Sequence, residues 1–237
     1  MKPHIALRTM LAMLGLMGAP SIVSAQQLAT GPAAKQVQIK PGRVEMMPLA
    51  KVPFADPAQV DALLALGQAQ RSQGWIAARE GQSQEIDGYF ENERTRARLR
   101  PALSDVIGKL RVAPMPLERT FLDSAKMVGA MPAGGYVNGG WTGLARAMEI
   151  EGVGRVVLEE YDYAQAGSYI VVPEELSNFQ INGLPGQFSV WKAPNGRTWT
   201  QLRWFTASKE FRLFIGREVR EGDSVYQDMM RLAALAQ

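Results

Sequence analysis

The sequence predicts an α+β fold, in which a mainly helical N-terminal half precedes an antiparallel sheet closed by a C-terminal helix. Three observations predict it. Apolar residues recur at helical spacing between residues 56 and 150, the period changes to alternation after Gly152, and an amphipathic stretch follows Ser224. Of 237 residues 46% are apolar and 21% charged, proportions of a globular chain rather than a disordered or collagen-like one.

The chain opens with Lys2 and Arg8 ahead of an uncharged Met- and Leu-rich run from Thr9 to Ala19. Val23-Ser24-Ala25 then places small side chains where a signal peptidase needs room. The reading is a signal peptide over residues 1–25, cleaved after Ala25, and export to the periplasm. Its apolar run is well short of the roughly 20 residues needed to span a bilayer. Residues 26–55 hold Pro32, Pro41, Pro48 and Pro53 with few large apolar groups, as an extended arm or linker would.

Residues 56–150 form the expected helical region. At Asp56-Pro57-Ala58-Gln59 a capping carboxylate, a Pro in the first helical position and a Gln three residues after the cap mark a helix start. Val60, Leu63, Leu64 and Leu66 supply its stripe, and Trp75 to Ala78 extend the apolar pattern toward a stop at Gly81. From Glu85 to Arg100, acids precede bases at spacings that support a helix through i,i+4 pairs, and the four arginines read as a solvated face. Leu117 to Ala130 is expected to be a further helix, with Phe121, Leu122, Ala125 and Val128 on one face. A Gly-rich loop, Met131 to Gly140, leads to a short helix from Trp141 to about Glu149.

Residues 151–237 form the expected sheet and closing helix. Arg155–Tyr163, Ser168–Val172, Phe179–Asn182, Gln187–Ala193, Arg197–Thr206 and Glu210–Gly216 all read as strands. Asn195-Gly196 reads as a two-residue type I′ turn, pairing Ala193 with Thr198 and Trp191 with Thr200. A turn at Ala207-Ser208 pairs Trp204 with Phe211 and Leu202 with Leu213. Ser224 and Gln227 suit a capping box for a helix that lays Val225, Met229 and Leu232 on the sheet.

This register gathers Trp191, Leu202, Trp204, Phe211, Leu213 and Ile215 on a core face. The opposite face carries Phe188, Val190, Trp199, Phe205 and Phe214 among Lys192, Gln201, Arg203 and Arg212, and is too apolar to be left bare. Either the N-terminal helices cover it, or it lines a groove for a hydrophobic ligand or partner segment. Phe188, Trp199, Arg203, Phe205, Arg212 and Phe214 are the candidate binding residues.

The sequence excludes much chemistry. It has no Cys, and its one His, His4, lies in the leader. A mature chain without thiol or imidazole builds no Ser-His-Asp triad, no thiol nucleophile and no Cys or His zinc site. Lys plus Arg exceed Asp plus Glu by 26 to 23, with Lys2 and Arg8 in the leader, so there is no electrostatic footprint for nucleic acid. No cofactor or metal is expected. Carboxylate chemistry stays open: Glu160 and Asp162 share a strand face about 6.5 to 7 Å apart, near the spacing of glycoside hydrolases, although acids also blunt sheet edges. The glycines at 134, 135, 139 and 140 lack the Lys-Ser/Thr of a phosphate loop, and Ser189-x-x-Lys192 falls on a strand where the two side chains point to opposite faces.

Ile181-Asn182-Gly183-Leu184-Pro185-Gly186-Gln187-Phe188, then Leu202-Arg203-Trp204, a short turn, Phe211-Arg212-Leu213 and a final helix resemble the C-terminal sheet domain of periplasmic sigma-E regulatory proteins. The resemblance covers the last quarter of the chain. It implies binding of an anti-sigma factor or lipid-like signals during envelope stress, and it carries over no functional residue. The N-terminal half does not look like that family's larger half-barrel domain. The combined expectation is an exported, non-catalytic binding or regulatory protein that recognises a protein partner or apolar ligand in the envelope. The alternatives are a carboxylate-only glycan hydrolase, with Glu160 as acid and Asp162 as base or nucleophile, and a structural subunit of an envelope complex.

Overall fold

The computed structural model describes residues 42–52, 57–78 and 84–236. The signal peptide, the first part of the Pro-rich arm, the Asp56 cap and the Gly81 stop lie outside the described residues. In chain order the elements are β1 (Val44–Met47), α1 (Pro57–Gln73), β2 (Ile76–Ala77), α2 (Gln84–Phe90), α3 (Glu93–Arg98), α4 (Ser104–Ile107), β3 (Lys126–Val137), β4 (Gly140–Ile150), β5 (Gly154–Asp162), β6 (Ile170–Pro173), β7 (Phe179–Ile181), β8 (Leu184–Lys192), β9 (Thr198–Phe205), β10 (Lys209–Ile215) and α5 (Ser224–Leu235). Eight strands make one mixed sheet in the order β2-β8-β9-β10-β5-β4-β3, with β7 pairing β8. β2 runs parallel to β8, and the other pairs are antiparallel.

A mainly helical N-terminal half is not what forms: the described structure is mostly sheet. β3 and β4 stand where helices were expected at Leu117–Ala130 and Trp141–Glu149, and residues 111–125 form turns instead. Tertiary context overrides helix propensity here. In β4 the even residues Thr142, Leu144, Arg146 and Met148 face one side of the sheet, while Gly143, Ala145 and Ala147 face the other. Both faces are buried from Thr142 to Met148, so no alternation of polar and apolar residues marks the strand. Gly143 has a strict reason to be small, since a Cβ there would lie 2.6 Å from the Glu160 carbonyl oxygen. Elsewhere α1 stops at Gln73, before Gly74 at φ +78°, and Ile76-Ala77 joins the sheet instead of extending the helix. The single helix expected over Glu85–Arg100 is two, split where Asn92 caps α3 by accepting from the Thr95 N–H.

The chain holds three Asn-Gly pairs, and they behave differently. Asn138-Gly139 (φ +48°, +86°) joins β3 to β4 and Asn182-Gly183 (φ +51°, +77°) joins β7 to β8, both as two-residue turns with positive φ at each position. At Asn195-Gly196 only the glycine has positive φ, and the loop is Pro194-Asn195-Gly196, closed by Gly196 N–H donating to the Ala193 carbonyl at 2.9 Å. Pro194 locks its φ near −65°, so the turn starts one residue earlier. Trp191 therefore pairs with Trp199 and not Thr200, whereas Trp204↔Phe211 and Leu202↔Leu213 form as expected. A one-residue slip turns every β8 side chain over. Phe188 and Val190 join the core face with Leu202, and Trp191 crosses to the face of Trp199, Gln201 and Arg203.

The core face packs Leu158, Leu202, Trp204, Phe211 and Leu213 under Val225, Met229 and Leu232 of α5. α5 begins after Asp223 as its cap residue, so the Ser224/Gln227 capping box does not form. On the second face, Ile76, Ile86, Trp191, Trp199 and Phe214 pack with Leu66 of α1 and with Tyr89 and Phe90 of α2. The end of the Pro-rich stretch docks as well: β1 pairs in parallel with β6, and Leu49 is 2% exposed.

Candidate functional site

The second sheet face is partly covered and partly hollow. Between α1 and strands β8, β9 and β10 lies a cavity of about 270 Å³. Leu63, Leu66, Ile76 and Leu176 give it apolar walls, while Gln187, Ser189, Gln201, Arg203 and Arg212 rise from the sheet. α1 comes close to the turn at residues 174–176 because Gly67 has no side chain: a Cβ there would meet the Glu175 carbonyl at 3.3 Å and the Leu176 side chain at 3.4 Å. Arg71 donates to the Glu175 carbonyl at 3.2 Å, and the Glu175 carboxylate accepts the Leu49 N–H, which ties β1's loop to the rim.

A buried polar chain underlies the floor. Glu210 Oε1 accepts from Arg203 Nε and from Arg212 Nε, each at 2.7 Å. Arg203 Nη1 reaches Gln187 Oε1 at 3.2 Å, and its guanidinium lies 4.9 Å from the Phe205 ring centroid. Arg212 also faces Glu159 at 3.9 Å, and Glu159 accepts from the Tyr89 hydroxyl at 2.7 Å. Arg203 and Arg212 are direct cross-strand partners, a like-charge pairing that Glu210 between them neutralises. Burial pushes the Glu210 carboxyl up, and the two guanidiniums outweigh it and hold it below the ordinary value.

Of the six candidate binding residues, Arg203 and Arg212 line the floor of the cavity. Trp199 stacks on Trp191 at 6.2 Å and Phe214 packs beside it, both buried. Phe205 is buried with Tyr163, Ile170 and Val172. The β8 register puts Phe188 on the core face, edge-on to Tyr226 of α5 at 5.1 Å, and Phe188 also borders the cavity. Gln187, Ser189 and Trp191, none of them a candidate from the sequence, also line the cavity, Trp191 having crossed from the expected core face. Glu210, which holds both arginines, was signalled in the sequence as an acid two residues from Arg212 on one strand.

Glu160 and Asp162 do share a face, and both are buried. Glu160 is 1% exposed, paired with the buried Arg146, and its Oε2 accepts the Met115 N–H at 2.7 Å. Arg146 in turn donates to the Met115 carbonyl at 3.0 Å, so the pair clamps one backbone residue at both polar groups. Asp162 accepts the Gln165 N–H at 2.8 Å, capping a turn. Carboxylates so occupied hold a loop and a turn in this structure. Among the described residues no group of His, Cys, Asp or Glu is arranged to hold a metal ion, and no helix is long and apolar enough to cross a membrane. Compared with known proteins, the chain matches no protein family, no curated protein and no solved structure.

Proposed function

We propose that this chain is an exported envelope protein that binds an apolar ligand in the cavity between α1 and the second sheet face, without catalysing a reaction. The observation that carries the reading is that cavity: about 270 Å³, walled by aliphatic side chains and floored by a pre-organised arginine network. Concave apolar space with a few fixed polar groups is the usual form of a small-molecule site. Export is supported by the charged and apolar leader ending in Val23-Ser24-Ala25. The resemblance to sigma-E regulators supports a regulatory use of the bound state.

The test is calorimetric titration with 1-octanol, a neutral apolar probe, on the unmodified chain and on Leu63→Trp. Leu63 is a half-buried wall residue, so an indole there fills the space without opening the core. Binding by the unmodified chain and its loss in Leu63→Trp is the expected result. Absence of binding, or equal binding by both, removes the cavity as the site.

A further inference from the structure

Two side chains of the cavity floor carry polar groups with no partner among the described residues. Arg203 is 5% exposed and lines the cavity, with Nε on Glu210 and Nη1 on Gln187. Its Nη2 makes no hydrogen bond to any described residue. Gln201 is also 5% exposed and lines the cavity, and its side-chain amide makes none either. The two side chains lie on one face of β9, two residues apart, and so about 6.5 to 7 Å from each other along the strand. Neither group has a partner among the described residues, so whatever fills the hollow, water or ligand, supplies one.

From these groups we infer that the ligand is a small carboxylate with an apolar body, its head on Arg203 and Gln201 and its body along α1. The inference rests on the cavity being the ligand site. A guanidinium only donates, so the group opposite Arg203 must accept. Arg71 adds a third guanidinium to the lining and the one acid there, Glu175, turns its carboxylate to the Leu49 N–H, while Glu210 and Glu159 balance Arg203 and Arg212. Among acceptors, a planar carboxylate makes the stronger, charge-assisted pairing with Arg. Leu63, Leu66, Ile76 and Leu176 offer no hydrogen bond, so the rest of the molecule is apolar. The volume holds about nine water-sized groups, near the size of an eight-carbon acid.

Straight-chain and aryl acids share this chemistry, and the probes separate them. The full chain is titrated calorimetrically with octanoate, 3-phenylpropanoate, 1-octanol and octylammonium. One of the two carboxylates is expected to bind about tenfold or more tighter than octanol, with octylammonium weakest. Gln201→Leu removes an amide that bonds no described residue, so the fold is retained; it is expected to weaken the carboxylate several-fold and leave octanol unchanged. Arg203→Met is expected to weaken the carboxylate further, and Gln201→Leu decides if that variant does not fold. Octanol binding as tightly as both acids, octylammonium binding tightest, or an unchanged carboxylate affinity in Gln201→Leu overturns the anionic head while leaving an apolar site. No binding by any probe overturns both.

Discussion

Replacing Glu210 by Gln tests how the sheet tolerates two arginines facing each other. The change keeps size and removes the charge. Glu210 and Arg203 are buried, and Glu210 Oε1 accepts both guanidinium hydrogen bonds at 2.7 Å. Each bond to a charged group contributes about 1.5–3 kcal/mol, and an amide oxygen retains part of that. What the amide cannot replace is the counter-charge, and a buried ion pair broken on one side costs about 3–5 kcal/mol. Against a total of roughly 5–15 kcal/mol, Glu210→Gln should shift the urea midpoint strongly at neutral pH with the slope unchanged. The pH dependence has a definite sign. The folded carboxyl titrates below its unfolded value of 4.5, so the unfolded state binds more protons between the two values. The stabilisation is complete above 4.5 and is lost as pH falls toward the folded value, and this loss should be missing in Glu210→Gln. A cost under about 1 kcal/mol, or an unchanged acid limb in the variant, would refute the claim that Glu210 neutralises the pair.

Three further outcomes follow from the same physics. Glu160 has one guanidinium beside it, and burial, the larger effect, raises its carboxyl above the ordinary value; its stabilising contribution is therefore lost as pH rises through the folded value, and Glu160→Gln should flatten that fall and cost less at neutral pH than Glu210→Gln in the same urea titrations. Asn138→Ala forces an alanine to φ +48° and should lower stability by about 1–2 kcal/mol, whereas Asn195→Ala, at negative φ, should cost only the Oδ1 bond to the Arg197 N–H; thermal melts of the two variants compare them. Gly143→Ala drives a methyl into the β5 backbone and should destabilise by about 1–3 kcal/mol in chemical unfolding, with equal stability to the parent contradicting the packing of β4.

The absence of Cys and the single His, His4, were legible because they depend on residue identity alone. So were the six strands after Gly152 and the closing helix, whose alternation and amphipathic stripe survive in a single chain. β3 and β4 were not, because Ala, Met and Gly patterns satisfy helix and strand equally well until a neighbouring strand demands small side chains on one face. The Asn-Gly signal was real at residues 138 and 182 and misleading at 195, where the preceding Pro194 set the turn.

By itself the sequence determined which chemical groups exist and which local periods they follow. Only the tertiary structure decided which groups meet. The register of β8, set by one loop residue, chose the sheet face for Trp191, Gln187 and Ser189, and with it the composition of the cavity. Burial then separated two acids with the same intrinsic affinity for a proton: Glu160, beside one arginine, is pushed up, and Glu210, between two, is held down. That difference is a balance of desolvation against charge, quantities that exist only once strands distant in the chain lie side by side.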